Sequence, residues 1–271
     1  VQRDEEAELG HRTFITYCRA MSTWGETGGA QETDGVLLLA GGSWIPVIGN
    51  VAFRTDGDDS EAAGADMIDR ADAFFLARKR GYSIKVRDNG HDDQLRAACA
   101  SRKLEAFGEP APEMVCRHRL DDPDLADGVT LDQVNDLTAV RDFIAVNAEA
   151  YSTYGMPPEA VGEVFSRPEL FLADPSALAV VARLEGRPVA ASLVYLSDGV
   201  ASLQWVGTVS DARHLRLGRA VTQWTTNAAF DRGAALCTLQ ASVMGAPLYL
   251  NLGYETLYRY TEWVRWRVTP P

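Results

Sequence analysis

The chain has 271 residues, is 46% hydrophobic and carries 26 Lys and Arg against 38 Asp and Glu, a formal net charge of −12. That length allows one large or two ordinary domains, and the apolar share is that of a globular protein with a sizeable core. The acidity argues against non-specific binding of nucleic acid or of an anionic membrane, both of which need basic patches, and no apolar run reaches membrane-spanning length. The start, Val1-Gln2-Arg3-Asp4-Glu5-Glu6, has the features of neither a signal nor a transit peptide, so a cytoplasmic protein is expected. Cys18, Cys99, Cys116 and Cys237 are scattered, and Cys116 with His118 is too small a cluster for zinc. Four buried reduced thiols and no metal site are expected.

In chain order, Asp4 to Met21 reads as a helix with Leu9, Phe14, Tyr17 and Met21 on one side. Trp24 to Asp34, with three glycines, reads as a loop. Gly35 to Ala40 and Ile45 to Phe53 are expected strands around a Gly41-Gly42 turn. Ser60 is placed to cap a helix from Glu61 to Arg80, ended by Gly81. Tyr82 to Val86 is a strand, Asp92 to Ala100 a short helix, and Glu113 to Arg119 a strand after the breaks at Pro110 and Pro112. The acidic stretch 121–128, with Pro123 and Gly128, is read as a linker between a unit over 1–120 and a second over 129–271.

Leu131 to Ala150 is expected to be a helix, and Pro157-Pro158 opens another through Phe165. Ala177 to Leu184 and Val189 to Leu196 form a hairpin, and Asp198-Gly199 turns into a strand from Ser202 to Val209. These strands are mostly apolar, as in a sheet covered on both faces. A turn from Ser210 to Arg219 leads into a helix from Ala220 to Asp231, stopped by Gly233. Ala235 to Ala241 and Thr256 to Val268 are the last strands.

That turn is the most informative stretch. The helix it enters has no carboxylate in its first turn, and Arg213, Arg216 and Arg219 crowd the same place. Free N–H groups at a helix start, together with arginine forks, suit a phosphate or diphosphate. No Gly-Lys-Ser/Thr follows, so it is not a P-loop, and only Gly218 of a dinucleotide fingerprint is present.

Arg-x-x-x-x-Gly entering a helix, then a strand, then Leu248-Tyr249-x-x-x-Gly253-Tyr254, resembles the GNAT superfamily of N-acetyltransferases. In that family the turn usually reads Arg/Gln-x-x-Gly-x-Gly/Ala. Arg213 matches the leading residue, Gly218 the last glycine, and His214 and Leu215 the variable pair; Arg216 stands where the first glycine is expected. If that position needs only helical dihedrals, arginine costs little; if it needs positive φ, the loop is distorted.

The resemblance implies an α/β (α+β) fold of two GNAT-like domains, each a mixed, mostly antiparallel sheet flanked by helices. The N-terminal one has Arg54-Thr55-Asp56-Gly57-Asp58-Asp59 where the diphosphate turn should be, so it is expected to hold no coenzyme and to play a structural, substrate-gating or dimer role. In the C-terminal one, acetyl-CoA would lie with its diphosphate on Arg213, His214, Leu215, Arg216, Leu217, Gly218 and Arg219. Its pantetheine arm would lie along Val206, Gly207 and Thr208, near Ser242, which stands where the family often has Asn. Tyr249 matches the general acid. The general base is not evident: Asp211 and Glu149 are both candidates, and Asp211 also suits a helix cap. The acceptor would be an amine, on a small molecule or a peptide, and the protein a monomer or homodimer with no nucleic-acid or membrane partner. The alternative is a non-catalytic CoA-binding or partner-binding protein, which Arg216 and the missing base would favour.

Overall fold

The computed structural model describes residues 2–266, so Val268, the expected end of the last strand, lies outside the described residues. Helix α1 (Gln2–Met21) buries Phe14, Tyr17, Cys18 and Met21. The hairpin of β1 (Gly29–Thr33) and β2 (Val36–Ala40) turns at Asp34 and Gly35, both with positive φ (46° and 75°), as a two-residue Asp-Gly turn requires. β1 replaces the expected loop; it is polar because it is the exposed edge of the sheet. β3 (Val51–Arg54) starts later than its apolar run, since the chain turns between Ile45 and Asn50.

Helix α2 (Glu61–Ala77) is capped by Ser60 Oγ, which accepts the Ala63 N–H at 3.1 Å. It stops short of Arg80, because Lys79 already has φ 54°. β4 (Tyr82–Arg87) and α3 (Asp93–Ser101) follow. β5 (Glu105–Cys116) runs through both prolines instead of starting after them; Pro112 O accepts the Ala241 N–H at 3.0 Å, so the proline costs no acceptor.

After the linker comes β6 (Val129–Gln133), where a helix was expected. Val134 N–H bonds Ala179 O at 2.9 Å, so the strand pairing of this segment wins over its helical spacing. Helix α4 (Leu137–Ser152) begins only at its cap, Asp136 Oδ1, which accepts the Ala139 N–H at 2.8 Å. Two short helices, α5 (Pro158–Val164) and the unexpected α6 (Pro168–Ala173), lead to the meander β7 (Ala177–Leu184), β8 (Arg187–Ser197) and β9 (Val200–Thr208). A 3-10 turn (Ser210–Ala212) precedes α7 (Leu217–Asp231), which starts three residues before the expected Ala220. β10 (Leu236–Gln240), α8 (Ala246–Leu250) and β11 (Glu255–Arg265) complete the chain.

Among the described residues eleven strands form one sheet, ordered β1-β2-β3-β4-β11-β5-β10-β9-β8-β7-β6. Two neighbouring pairs are parallel there, β3 with β4 around α2 and β9 with β10 around α7. The two halves therefore repeat a strand-helix-strand crossover, and each ends in a strand that returns antiparallel. Those final strands are exchanged: β5, from the first half, pairs with β10, and β11, from the second, pairs with β4. The centre of the sheet, β4-β11-β5-β10, is built from both ends of the chain.

Helix α1 crosses this centre. Gly10 permits the approach, since a Cβ there would lie 3.0 Å from Thr238 Cγ2 on β10. Glu6 binds Arg117 at 2.7 Å, and the Trp205 Nε1–H donates to Tyr17 Oη at 2.6 Å. Phe14 meets Phe53 edge-on, with ring centroids 6.0 Å apart, while Tyr17 does the same with Tyr195 at 5.9 Å. One aromatic layer thus joins the two halves.

Candidate active site

β9 and β10 pair only as far as Leu203 and Leu239, and β9 continues to Thr208 paired with β8 alone. The parting coincides with a bulge: Trp205 sits at φ 53°, and the register with β8 shifts between Ala191 and Leu193. Into the opening faces a cleft of about 410 Å³, walled by Val206, Ala241, Ser242, Tyr249, Tyr151, Tyr154 and Glu262 among others. Past the outer end of β9 lies a groove of about 780 Å³ around the start of α7. On the inner side lies a smaller cavity of about 190 Å³ beneath α1. Trp205, Gln204, Gln240, Tyr151, Tyr260 and Glu262 line both this cavity and the cleft, so those two adjoin; the groove shares no lining residue with them but borders the end of the same strand at Thr208.

Arg213, His214, Arg216, Leu217, Gly218, Arg219 and Thr208 line the groove. Leu217 adds little surface to it, being buried in the core. Leu215 does not reach it and lines a neighbouring hollow under the linker. Gly207 does not line the groove or the cleft: it packs on α4, where an added Cβ would lie 2.8 Å from Asn147 Oδ1. Val206 and Ser242 line the cleft, and Ser242 Oγ accepts the Gly245 N–H at 3.0 Å.

The turn is left-handed at two non-glycine residues, His214 (φ 71°) and Arg216 (φ 59°). The position where glycine is usual therefore does need positive φ, and arginine adopts it at a cost of about 1 kcal/mol. Arg216 is also the cap residue of α7 and has no capping side-chain bond, so the first N–H groups of that helix are left for a ligand. Arg213 is steadied by Thr153 Oγ1 at 2.7 Å. Asp121, Asp122 and Asp124 of the linker line the opposite wall. Asp122 is already bound to Arg119 at 2.8 Å.

Tyr249 is buried in the cleft wall, its ring 5.9 Å from that of Tyr254. Burial pushes its hydroxyl well above the usual range, so it stays protonated and can donate. Tyr254, the other aromatic of the closing motif, is structural: its hydroxyl lies 2.6 Å from Thr226 Oγ1 and 3.3 Å from Cys237 Sγ.

Neither sequence candidate for a base reaches the cleft or the cavity. Asp211 pairs with Arg187 at 3.0 Å and does not cap α7, and Glu149 accepts from Ser210 N–H and Oγ–H at 3.2 and 3.3 Å. Glu262, which no sequence motif marks, is the carboxylate shared by the linings of cleft and cavity. It sits in β11 directly opposite Lys85 of β4, with 3.4 Å between Oε1 and Nζ. The signal was a lone acid in the alternation Tyr258, Tyr260, Glu262, Val264, where its strand turns one face inward.

A family model described as an acetyltransferase (GNAT) domain matches residues 100–242, just over half of the chain. The protein belongs to the GNAT acetyltransferase family. Among solved structures, a GCN5-related N-acetyltransferase from Kribbella flavida is 20% identical, with 93% of this chain and 94% of that one covered and a TM-score of 0.70. A GCN5-related N-acetyltransferase from Sphaerobacter thermophilus is 14% identical, covering 88% and 82% with a TM-score of 0.60. A tandem GNAT protein from the clavulanic acid biosynthesis pathway is 13% identical, covering 96% and 97% with a TM-score of 0.59. At these identities the likeness is one of fold. No curated protein matches the chain. Among the described residues no helix is long and apolar enough to cross a membrane.

Proposed function

We propose that the protein transfers an acetyl group from acetyl-CoA to an amine, at a single site in its C-terminal half. The observation that carries this reading is that three spaces border the parted end of β9: an arginine-lined groove at a helix start, a cleft holding Tyr249, and an inner cavity beside Glu262. The residues fit the coenzyme. Arg213, Arg216 and Arg219, with the free N–H groups of α7, suit its diphosphate. The unpaired length of β9 at Val206 suits the amide-bearing pantetheine arm as an added strand.

The amine enters by the inner cavity and loses a proton to Glu262. Its nitrogen then bonds to the thioester carbonyl carbon, and the carbon–sulfur bond breaks. Tyr249 protonates the leaving sulfur and recovers a proton from the nitrogen. The products are an amide, a free thiol and one proton released to solvent. In the N-terminal half the aspartates at the corresponding turn are otherwise engaged, Asp59 with Arg54 at 3.1 Å and Asp58 with the Ser60 N–H at 2.8 Å. That half contributes α1 and β4 as walls of the acceptor cavity.

Isothermal titration with acetyl-CoA tests the reading. One site per chain is expected, with affinity falling as salt rises, because the diphosphate is held by cations. Two sites, or none at millimolar ligand, would contradict it.

A further inference from the structure

The inner cavity is more specific than an amine pocket needs to be. Its walls combine apolar side chains, Phe14, Met21, Ile48 and Trp205, with polar ones such as Gln204 and Gln240, and its lining carries one partly buried ion pair, Lys85 with Glu262. Glu262 faces both cleft and cavity, whereas Lys85 lines the cavity and, on its far side, a small hollow whose carboxylates, Glu8 and Asp92, are held by Arg87.

Lys85 depends on that partner. Its ammonium lies 3.4 Å from Glu262, 4.5 Å from the Tyr260 ring centroid and 5.6 Å from that of Phe14. Cys18 and Glu113 are the other titratable groups near it, and burial keeps both uncharged at neutral pH, the thiol pushed up to about 12 and the carboxyl to about 8. An amine bound at Glu262 takes up the carboxylate's charge, first as an ammonium and then, after proton transfer, as the proton itself. Either way Lys85 is left as a partly buried cation without its anion, which is unfavourable. The substrate that avoids this brings an anion with it.

We propose that the acceptor is a small amino acid: its amine at Glu262, its carboxylate on Lys85, and an apolar side chain in the cavity beneath α1. The inference rests on the acetyltransferase reading of the same site. The geometry suits an α-amino acid, whose nitrogen and carboxylate carbon are two bonds, about 2.5 Å, apart, against the 3.4 Å of the protein pair. The cavity of about 190 Å³ sets the size. A void of roughly 150 Å³ holds one benzene ring, so a branched aliphatic or single-ring side chain fits.

The test compares L-valine, L-leucine and L-phenylalanine with their decarboxylated amines and their methyl esters. Binding is read from tryptophan fluorescence, since Trp205 lines the cavity, and turnover from thiol released by acetyl-CoA. The amino acids should bind and react at least about tenfold better than amines and esters. Lys85→Met should abolish the preference, and Lys85→Arg should keep part of it. Because Lys85→Met leaves Glu262 unpaired and can unfold the chain, binding is also measured on Lys85→Met with Glu262→Gln, which removes both charges; it should bind the amino acid no better than the amine. Wild-type protein that prefers the monoamine, or binds none of the amino acids, overturns the proposal. If amino acids bind through Lys85 but acetyl-CoA does not bind, the acceptor pocket stands and the transferase reading fails.

Discussion

Arg216 shows what one residue decides at this site. With φ 59° it holds a conformation that glycine adopts freely, yet the turn is formed and the side chain is exposed at the groove. Arg216→Gly should therefore stabilise the fold by about 1 kcal/mol, raising the thermal midpoint by roughly 2–4 °C. The same change removes a cation from the diphosphate groove, so acetyl-CoA should bind more weakly and with a shallower salt dependence. Calorimetry and titration on one preparation read both. A variant that binds the coenzyme more tightly would mean that strain, not charge, governs the turn.

At the scale of elements, the exchange of β5 and β11 makes the halves interdependent. Without residues 1–120, β10 loses β5 on one side and β11 loses both β4 and β5. Unpaired central strands expose backbone donors and acceptors and invite aggregation. Residues 121–271 expressed alone are expected to be insoluble, and co-expression with residues 1–120 to restore a soluble complex. A soluble, monomeric C-terminal fragment with native circular dichroism would show that the division at the linker is a true folding boundary.

Across the whole molecule, Glu113 links the halves to pH. It lies in β5 opposite Gln240 of β10 and Tyr258 of β11, fully buried, with Oε2 unpaired. Burial pushes its carboxyl up to about 8. The folded state therefore keeps a proton that the unfolded chain has lost, so this stabilisation is complete below the ordinary carboxylate range and is lost as pH rises toward 8. Glu113→Gln should remove that slope: its thermal midpoint should gain on the wild type between about pH 5 and pH 8. An equal difference at both pH values would place the charge elsewhere.

What the sequence made legible was local. The hairpins of β7 to β9, the arginine turn, α7 and the Leu248-Tyr249 motif each announce themselves within a few residues. β1 was missed because an edge strand can be wholly polar, although Asp34-Gly35 was a hairpin signal. Leu131 and Val134 matched helical spacing by chance and lost to strand pairing. The acceptor cavity was illegible for a different reason. Lys85 and Glu262 meet only because β11 crosses into the first half of the sheet, and no local pattern reports that exchange.

Under the proposed function Tyr249, in the cleft between the parted strands, completes acetyl transfer as a general acid. The most direct measurement is thiol release by Tyr249→Phe at saturating acetyl-CoA, beside the affinity of the same protein for the coenzyme. With the acid lost, kcat should fall about 10²-fold or more while the affinity stays unchanged. Full turnover by the phenylalanine variant would rule Tyr249 out as the acid.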